Sequence, residues 1–124
     1  MSAALPIAVI DDDPAICVSI ECLLRSLGYR VATFPSAEAF LGSEAIRDYA
    51  CVISDVQMEG GMSGIELAGR LKATGGVPPI ILISAFADAK VQADAKQAGA
   101  RCLLKKPFDG GSLIACLDDI VERR

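Results

Sequence analysis

The chain has 124 residues, of which 52% are hydrophobic, and it carries a formal net charge of −4 from twelve basic and sixteen acidic residues. That length and apolar share suit one domain with a sizeable buried core, while scattered Lys and Arg under a net negative charge argue against gripping a nucleic-acid backbone. The sequence has no histidine, which removes Ser-His and Cys-His catalysis and any phosphohistidine-carrier role, so its chemistry must rest on carboxylates, hydroxyls and amines.

Ile7-Ala8-Val9-Ile10 is a continuous apolar run stopped by three aspartates and Pro14, as expected of a strand buried on both faces and ending at a polar rim. From Pro14 to Leu27 the residues Ile16, Ile20, Leu23, Leu24 and Leu27 keep helical spacing, and Gly28 supplies the stop. Tyr29 to Phe34 reads as a second strand; Ser36 then caps a helix containing Ala39, Phe40, Leu41 and Ile46. Cys51 to Asp55 is the third strand, and Ser63-Gly64-Ile65-Glu66 has capping-box spacing before a helix with Leu67 and Leu71 that ends at Gly75-Gly76. Pro79 to Ser84 is strand four, Asp88 to Ala98 a helix ended by Gly99, Arg101 to Leu104 strand five, and Asp109 to Val121 the last helix. Five strands alternating with five helices imply an α/β fold with right-handed crossovers and one parallel sheet covered on both faces. With no internal linker, residues 1–124 read as a single domain whose ordered core runs from about 6 to 122.

Cys17, Cys22, Cys51, Cys102 and Cys116 form no C-x-x-C pair, and without histidine they read as small apolar core residues in a reducing compartment rather than a zinc site. No apolar stretch nears the roughly 20 residues a membrane-spanning helix requires. Met-Ser-Ala-Ala-Leu-Pro at the N-terminus lacks the charge and apolar length of a signal peptide, so a cytoplasmic protein is expected.

In a doubly wound sheet, ligands bind beyond the carboxyl ends of the strands. Strand one ends in Asp11-Asp12-Asp13, strand three in Asp55, strand four in Ser84, and strand five is followed by Lys105-Lys106-Pro107. If strands one and three are neighbours, Asp11, Asp12 and Asp55 crowd together, and carboxylates that close need a cation. An all-oxygen site suits Mg²⁺ or Mn²⁺, and the backbone carbonyl at Gln57 could complete it. Asp13, beside Pro14, instead reads as a helix N-cap. Lys106 could stabilise charge on a transferring phosphoryl group, whereas Lys105 reads as a surface lysine. Ser84 could hydrogen-bond a phosphoryl oxygen or simply a local backbone group. Together, metal-binding acids, a carboxylate nucleophile, a hydroxyl and an amine suit phosphoryl transfer driven by positioning and electrostatics.

The segments Val9 to Pro14, Ser54 to Met58, Met62-Ser63-Gly64, Ser84-Ala85, Ala98-Gly99-Ala100 and Lys106-Pro107-Phe108 resemble, in order and spacing over nearly the whole chain, response-regulator receiver domains of two-component systems. The resemblance implies a flavodoxin-like (βα)5 fold with strand order 2-1-3-4-5, Asp55 as phosphoacceptor, Asp11 and Asp12 holding Mg²⁺, and Ser84 and Lys106 contacting the phosphoryl group. It implies a histidine kinase or histidine phosphotransfer protein as donor and an output domain or downstream protein as receiver of the signal, with DNA binding left to another domain. The segment from Phe34 to Leu41 resembles receivers attached to LuxR-type outputs. Dimerisation through the last helices is common in the family, although the apolar residues from Leu113 to Leu117 are accounted for by the core alone.

Two departures stand out. Receivers usually carry Met-Pro-x-Met-Ser-Gly after the phosphoacceptor strand, whereas this chain reads Met58-Glu59-Gly60-Gly61-Met62-Ser63-Gly64, which predicts a longer, more flexible loop beside the metal. Leu103 stands where the family commonly has a switching aromatic residue. Gln57 and Phe86 lie where receiver side chains tune water access to the acyl phosphate, and a bulky Phe86 points to slow dephosphorylation. Three rival readings share parts of this pattern. A haloacid-dehalogenase-type phosphatase would use the D-x-D within Asp11-Asp12-Asp13, but no later acidic pair has the right setting. A flavodoxin-type flavin module would place phosphate against three repelling aspartates. A degenerate receiver acting only as an interaction surface would keep the fold without the chemistry.

Overall fold

The computed structural model describes residues 6–43, 46–58, 60–75, 78–86, 88–106 and 109–122; Glu59, Gly76, Pro107 and Phe108 lie outside the described residues. The apolar runs form β1 (Ile7–Ile10), β2 (Val31–Phe34), β3 (Cys51–Asp55), β4 (Ile80–Ser84) and β5 (Cys102–Lys105). They pair in parallel, as the alternation of strands and helices predicts, in the order β2-β1-β3-β4-β5 that the receiver resemblance implies. Between them run α1 (Pro14–Ser26), α2 (Ala37–Leu41), α3 (Gly64–Ala73), α4 (Ala89–Gln97) and α5 (Gly110–Glu122). Every residue of β1, β3 and β4 is buried, because helices lie against both faces of the central sheet.

The two-residue alternation of the strands divides the core. Ala8, Ile10, Val52, Ile80 and Leu82 face Phe40 of α2, Leu67 and Leu71 of α3 and Ala95 of α4. Ile7, Val9, Ile53, Ile81 and Ile83 face Ile20 and Leu24 of α1 and Leu113, Leu117 and Ile120 of α5. On α4, Ala95 is the one buried residue.

Helix starts follow the capping residues that the sequence offers. Asp13 caps α1 through Ala15 N at 2.9 Å, which bears out its reading as a cap. Ser36 and Asp88 cap α2 and α4, and Ser63 with Glu66 makes the full capping box of α3. The second helix is shorter than expected: it stops at Leu41, and Ile46 starts a separate 3₁₀ turn, Ile46–Asp48. Gly42 N donates to Glu38 O and the Ser43 hydroxyl donates to Phe40 O, satisfying the terminal carbonyls and ending the helix. Ile46 still packs against the α2–α3 face of the core. The strand edges differ from expectation by one or two residues, since β2 begins at Val31, β4 at Ile80 and β5 runs one residue further, to Lys105.

The cysteine reading holds in part. Cys17 and Cys51 are buried and Cys102 and Cys116 half-buried, but Cys22 is exposed; all five are free thiols. Burial pushes Cys51 up to about 12, and burial with the neighbouring Cys102 does the same to Cys116, which keeps both as inert thiols at neutral pH.

One close approach ties the fold to the strand ends. Gly64 N donates to Val56 O at 2.9 Å, and a Cβ at Gly64 would overlap the Asp55 carbonyl oxygen and press on Leu82. Gly64→Ala is therefore expected to destabilise the domain by about 2–3 kcal/mol through overpacking against rigid backbone, read as a lower urea midpoint with an unchanged denaturant slope.

Candidate functional site

Parallel pairing brings all five strand carboxyl ends to one rim. Ile10 pairs with Ser54, Asp55 with Ile83 and Ser84 with Lys105, so Asp11 and Asp55 leave adjacent strands side by side. Carboxylate oxygens of Asp11, Asp12 and Asp55 all lie within 4.8 Å of one another. Asp11 and Asp55 are 4% and 7% exposed, while Asp12 faces solvent.

Lys106 answers this charge from the far side of the rim. Its main-chain N–H donates to Ser84 O at 2.7 Å, which continues the β4–β5 pairing. Its Nζ reaches Asp55 Oδ2 at 3.0 Å and Asp11 Oδ2 at 3.4 Å. Burial alone would lower its pKa, but the hydrogen bond to Asp55 and the charges of Asp11 and Asp55 hold it above the ordinary lysine value. Asp11 is pushed above the ordinary carboxylate value, first by burial and then by Asp55, against the opposing pull of Asp13 N and Lys106. Asp13 N donates to Asp11 Oδ1 at 2.9 Å and Gln57 N to Asp55 Oδ1 at 3.3 Å, so each buried carboxylate is oriented by backbone on one oxygen and by Lys106 on the other.

Three carboxylates and one ammonium leave a formal charge of −2 on a small, half-buried cluster. A hard divalent cation matches that charge and the all-oxygen donors, and at an effective dielectric of about 20 a pair of like charges roughly 4 Å apart repels by about 4 kcal/mol without one. The residues therefore fit such a cation. A cleft of about 630 Å³ opens beside them, lined by Asp12, Asp55, Gln57, Met58, Ser63 and Ile65.

Ser84 lies at the same rim, fully buried, but its hydroxyl turns to local backbone: it donates to Phe86 O at 2.7 Å and accepts from Phe86 N at 3.0 Å. Of the two roles open to it from sequence, this conformation takes the local one. Phe86 is 66% exposed. Leu103 is half-buried against the α2–α3 face of the core and lines a second cleft, of about 720 Å³, between α4 and β5. Lys105 is exposed, as expected of a surface lysine.

The model of the response regulator receiver domain matches residues 7–118. The chain belongs to the response-regulator receiver family. Receivers of two-component systems accept a phosphoryl group on an aspartate, and this is the function of the present domain. It is 38% identical over 117 residues to the transcriptional regulatory protein FixJ of Azorhizobium caulinodans, covering 94% of this chain and 55% of that one. Among solved structures it is similar to the BeF3-activated DrrB receiver domain, with TM-score 0.86 and 32% identity over 98% of this chain and all of that one. The crystal structure of FixJ-N superposes with TM-score 0.84 and 28% identity, covering 100% of this chain and 98% of that one. The receiver spans about half the length of the curated relatives it matches.

Sequence reasoning missed one participant in the receiver's rim. Glu38, in the first turn of α2, accepts a hydrogen bond from Met62 N at 2.9 Å, and so holds the β3–α3 connection at Met62. No local pattern announces a contact between residues 24 apart in sequence.

Because folding raises the Asp11 pKa, the folded receiver holds that proton more tightly than the unfolded chain, and the associated stability is lost as pH rises through the folded-state value. Asp11→Asn keeps an acceptor for Asp13 N and removes this loss. In the cation-free domain it is expected to raise the urea midpoint at neutral pH, with the gain shrinking as pH falls below the carboxylate range. The same substitution should abolish stabilisation by added Mg²⁺. Equal midpoints at neutral pH would contradict the electrostatic account of the rim.

Proposed function

We propose that Asp55 is the phosphoacceptor of this receiver and takes its phosphoryl group from a histidine kinase or a histidine phosphotransfer protein. The observation that supports this most is the Lys106 ammonium 3.0 Å from Asp55 Oδ2 beside two further carboxylates at the mouth of an open cleft. Asp11, Asp12 and Asp55, with the main-chain carbonyl of Gln57, would hold Mg²⁺ or Mn²⁺, and the bound ion would offset the charge of the acids and the phosphoryl oxygens.

Within this reading the protein supplies orientation and charge. A carboxylate oxygen of Asp55 forms a bond to phosphorus as the donor's P–N bond breaks; the imidazole leaves with that electron pair and takes up a proton. Gln57 N–H and Lys106 fix the carboxylate plane beforehand, which lowers the entropic cost of in-line attack. Lys106 then faces the phosphoryl oxygens, where negative charge spreads in the transition state. Ser84 exchanges its bond to Phe86 O for a phosphoryl oxygen, drawing the end of β4 inward. Phosphorylation replaces the single charge of the Asp55 carboxylate by the roughly two negative charges of the phosphoryl group, a net gain of about one, and the surface of α4, β5 and α5 repacks with a side chain at Leu103 that has no ring to swing.

The reaction is a self-catalysed transfer and later hydrolysis on Asp55 rather than turnover of a separate substrate. The domain works in the cytoplasm; among its described residues no helix is long and apolar enough to cross a membrane. The whole of residues 1–124 acts as one receiver module. Its output is altered binding to an output domain, of the LuxR type that the segment from Phe34 to Leu41 resembles, or to a downstream protein or second copy, without direct nucleic-acid contact of its own. A phosphorylation-independent interaction module is the second reading, favoured by Leu103 and by the local bonding of Ser84.

Intact-mass analysis after incubation with acetyl phosphate and Mg²⁺ tests the first reading. One added phosphoryl group is expected on the wild type, none without the cation and none on Asp55→Asn. A wild type that gains no mass while Mg²⁺ binds would favour the interaction module. In the same assay Phe86→Ala is expected to shorten the lifetime of the phosphorylated form, because water then reaches the acyl phosphate more freely; an unchanged lifetime would remove Phe86 from that role.

A further inference from the structure

The segment from Gln57 to Ser63 joins β3 to α3 and walls the cleft beside Asp55. It is one residue longer than the receiver pattern it resembles, and its described residues are fastened at both ends and from the side. Gln57 N donates to Asp55 Oδ1 at 3.3 Å, and Gly64 N to Val56 O at 2.9 Å. Those two bonds belong to the strand–helix junction itself. The third comes from elsewhere in the chain: Met62 N donates to Glu38 Oε2 at 2.9 Å.

The fit around that third bond is close. Gly60 has φ +73°, in the left-handed region that favours glycine. At Gly61 a methyl group would lie 2.8 Å from Glu38 Oε2 and 3.0 Å from Oε1; the carboxylate thus fills the space a side chain would take. Gly61 does not have a positive φ, so alanine there meets no backbone strain and would act through Glu38 alone. Donation from Met62 N, then from its own main-chain N–H, and the nearby charge of Arg70 hold the Glu38 carboxyl below its ordinary value, which keeps it an ionised acceptor at neutral pH. A charge-assisted bond to backbone is among the stronger kinds of surface hydrogen bond.

We propose that Glu38 is a positioning residue for the phosphorylation site: by anchoring Met62 it fixes the lengthened β3–α3 loop, and with it the main chain at Gln57 that serves the divalent cation. The proposal rests on the assignment of Asp55 and the cation above. Loss of the anchor lets the loop sample other arrangements, and apparent cation affinity falls in proportion to the fraction still competent to bind.

The test combines calorimetric Mg²⁺ titration with amide hydrogen exchange at Met62 in the cation-free protein. Glu38→Ala is expected to weaken Mg²⁺ binding by about three- to tenfold, the worth of one net hydrogen bond, and to speed Met62 exchange. The phosphorylation rate at saturating Mg²⁺ should stay close to that of the wild type. Glu38→Gln, whose amide oxygen still accepts, should retain most of the affinity. Gly61→Ala, which crowds only the flexible end of Glu38, should weaken binding no more than Glu38→Ala does, and add nothing further in the Glu38→Ala background, where no carboxylate is left to displace. Unchanged affinity and exchange in Glu38→Ala, or fully additive losses in the double variant, would overturn the proposal while leaving Asp55 phosphorylation intact. A wild type that neither binds Mg²⁺ nor gains a phosphoryl group would overturn the functional assignment itself and this role with it.

Discussion

The Lys106 ammonium, set between Asp11 and Asp55 at 3.4 and 3.0 Å, is the interaction on which this rim depends. Without it, two nearly buried carboxylates would face each other across adjacent strands with solvent largely excluded, an arrangement that costs several kcal/mol in a molecule of marginal stability. A single lysine offsets that repulsion only in part. The remaining charge is what makes the rim a place for a divalent cation rather than a closed structural ion pair, and it leaves Asp11 harder to ionise than an ordinary carboxyl.

The fold delivers this arrangement through register more than through side-chain packing. Because β1, β3, β4 and β5 run in one direction with little offset, the residue after each buried run arrives at the same edge. Gly64 lets α3 begin directly against the Asp55 carbonyl, and the capping box of Ser63 and Glu66 fixes where that helix starts. The backbone of Asp55 is thereby held by neighbouring strands and by the helix start. Adjustment at the rim must then come from side chains and from the ends of β4 and β5.

Most of this was legible in the sequence because the signals are local. Short apolar runs, helical spacing and capping residues place all five strands and five helices, and the acids Asp11, Asp12 and Asp55 with Lys106 do converge as their strand-end positions suggest. The apolar spacing continues past the end of α2 to Ile46, while Gly42 and Ser43 close the helix earlier by satisfying its carbonyls. Residue type alone points Cys22 to the core, but it lies on the outer face of α1, whose buried residues are Cys17, Ile20 and Leu24. The orientation of Ser84 is not a property of its own sequence neighbourhood, since one hydroxyl can serve two partners and only the fold decides between them. Glu38 was invisible for the opposite reason: its partner is a main-chain amide, which every non-proline residue carries.

Helix α4 is attached differently from its neighbours. It is nine residues long, its one buried residue is an alanine, and its exposed side chains are mostly polar, so it removes far less apolar surface from water than α1 or α5. Elements with so little burial occupy the low end of the local-unfolding spectrum. The thermal cost of detaching or sliding α4 is then a small fraction of the cost of opening the domain, and a surface change there can be populated without disturbing the sheet that holds the acids in place.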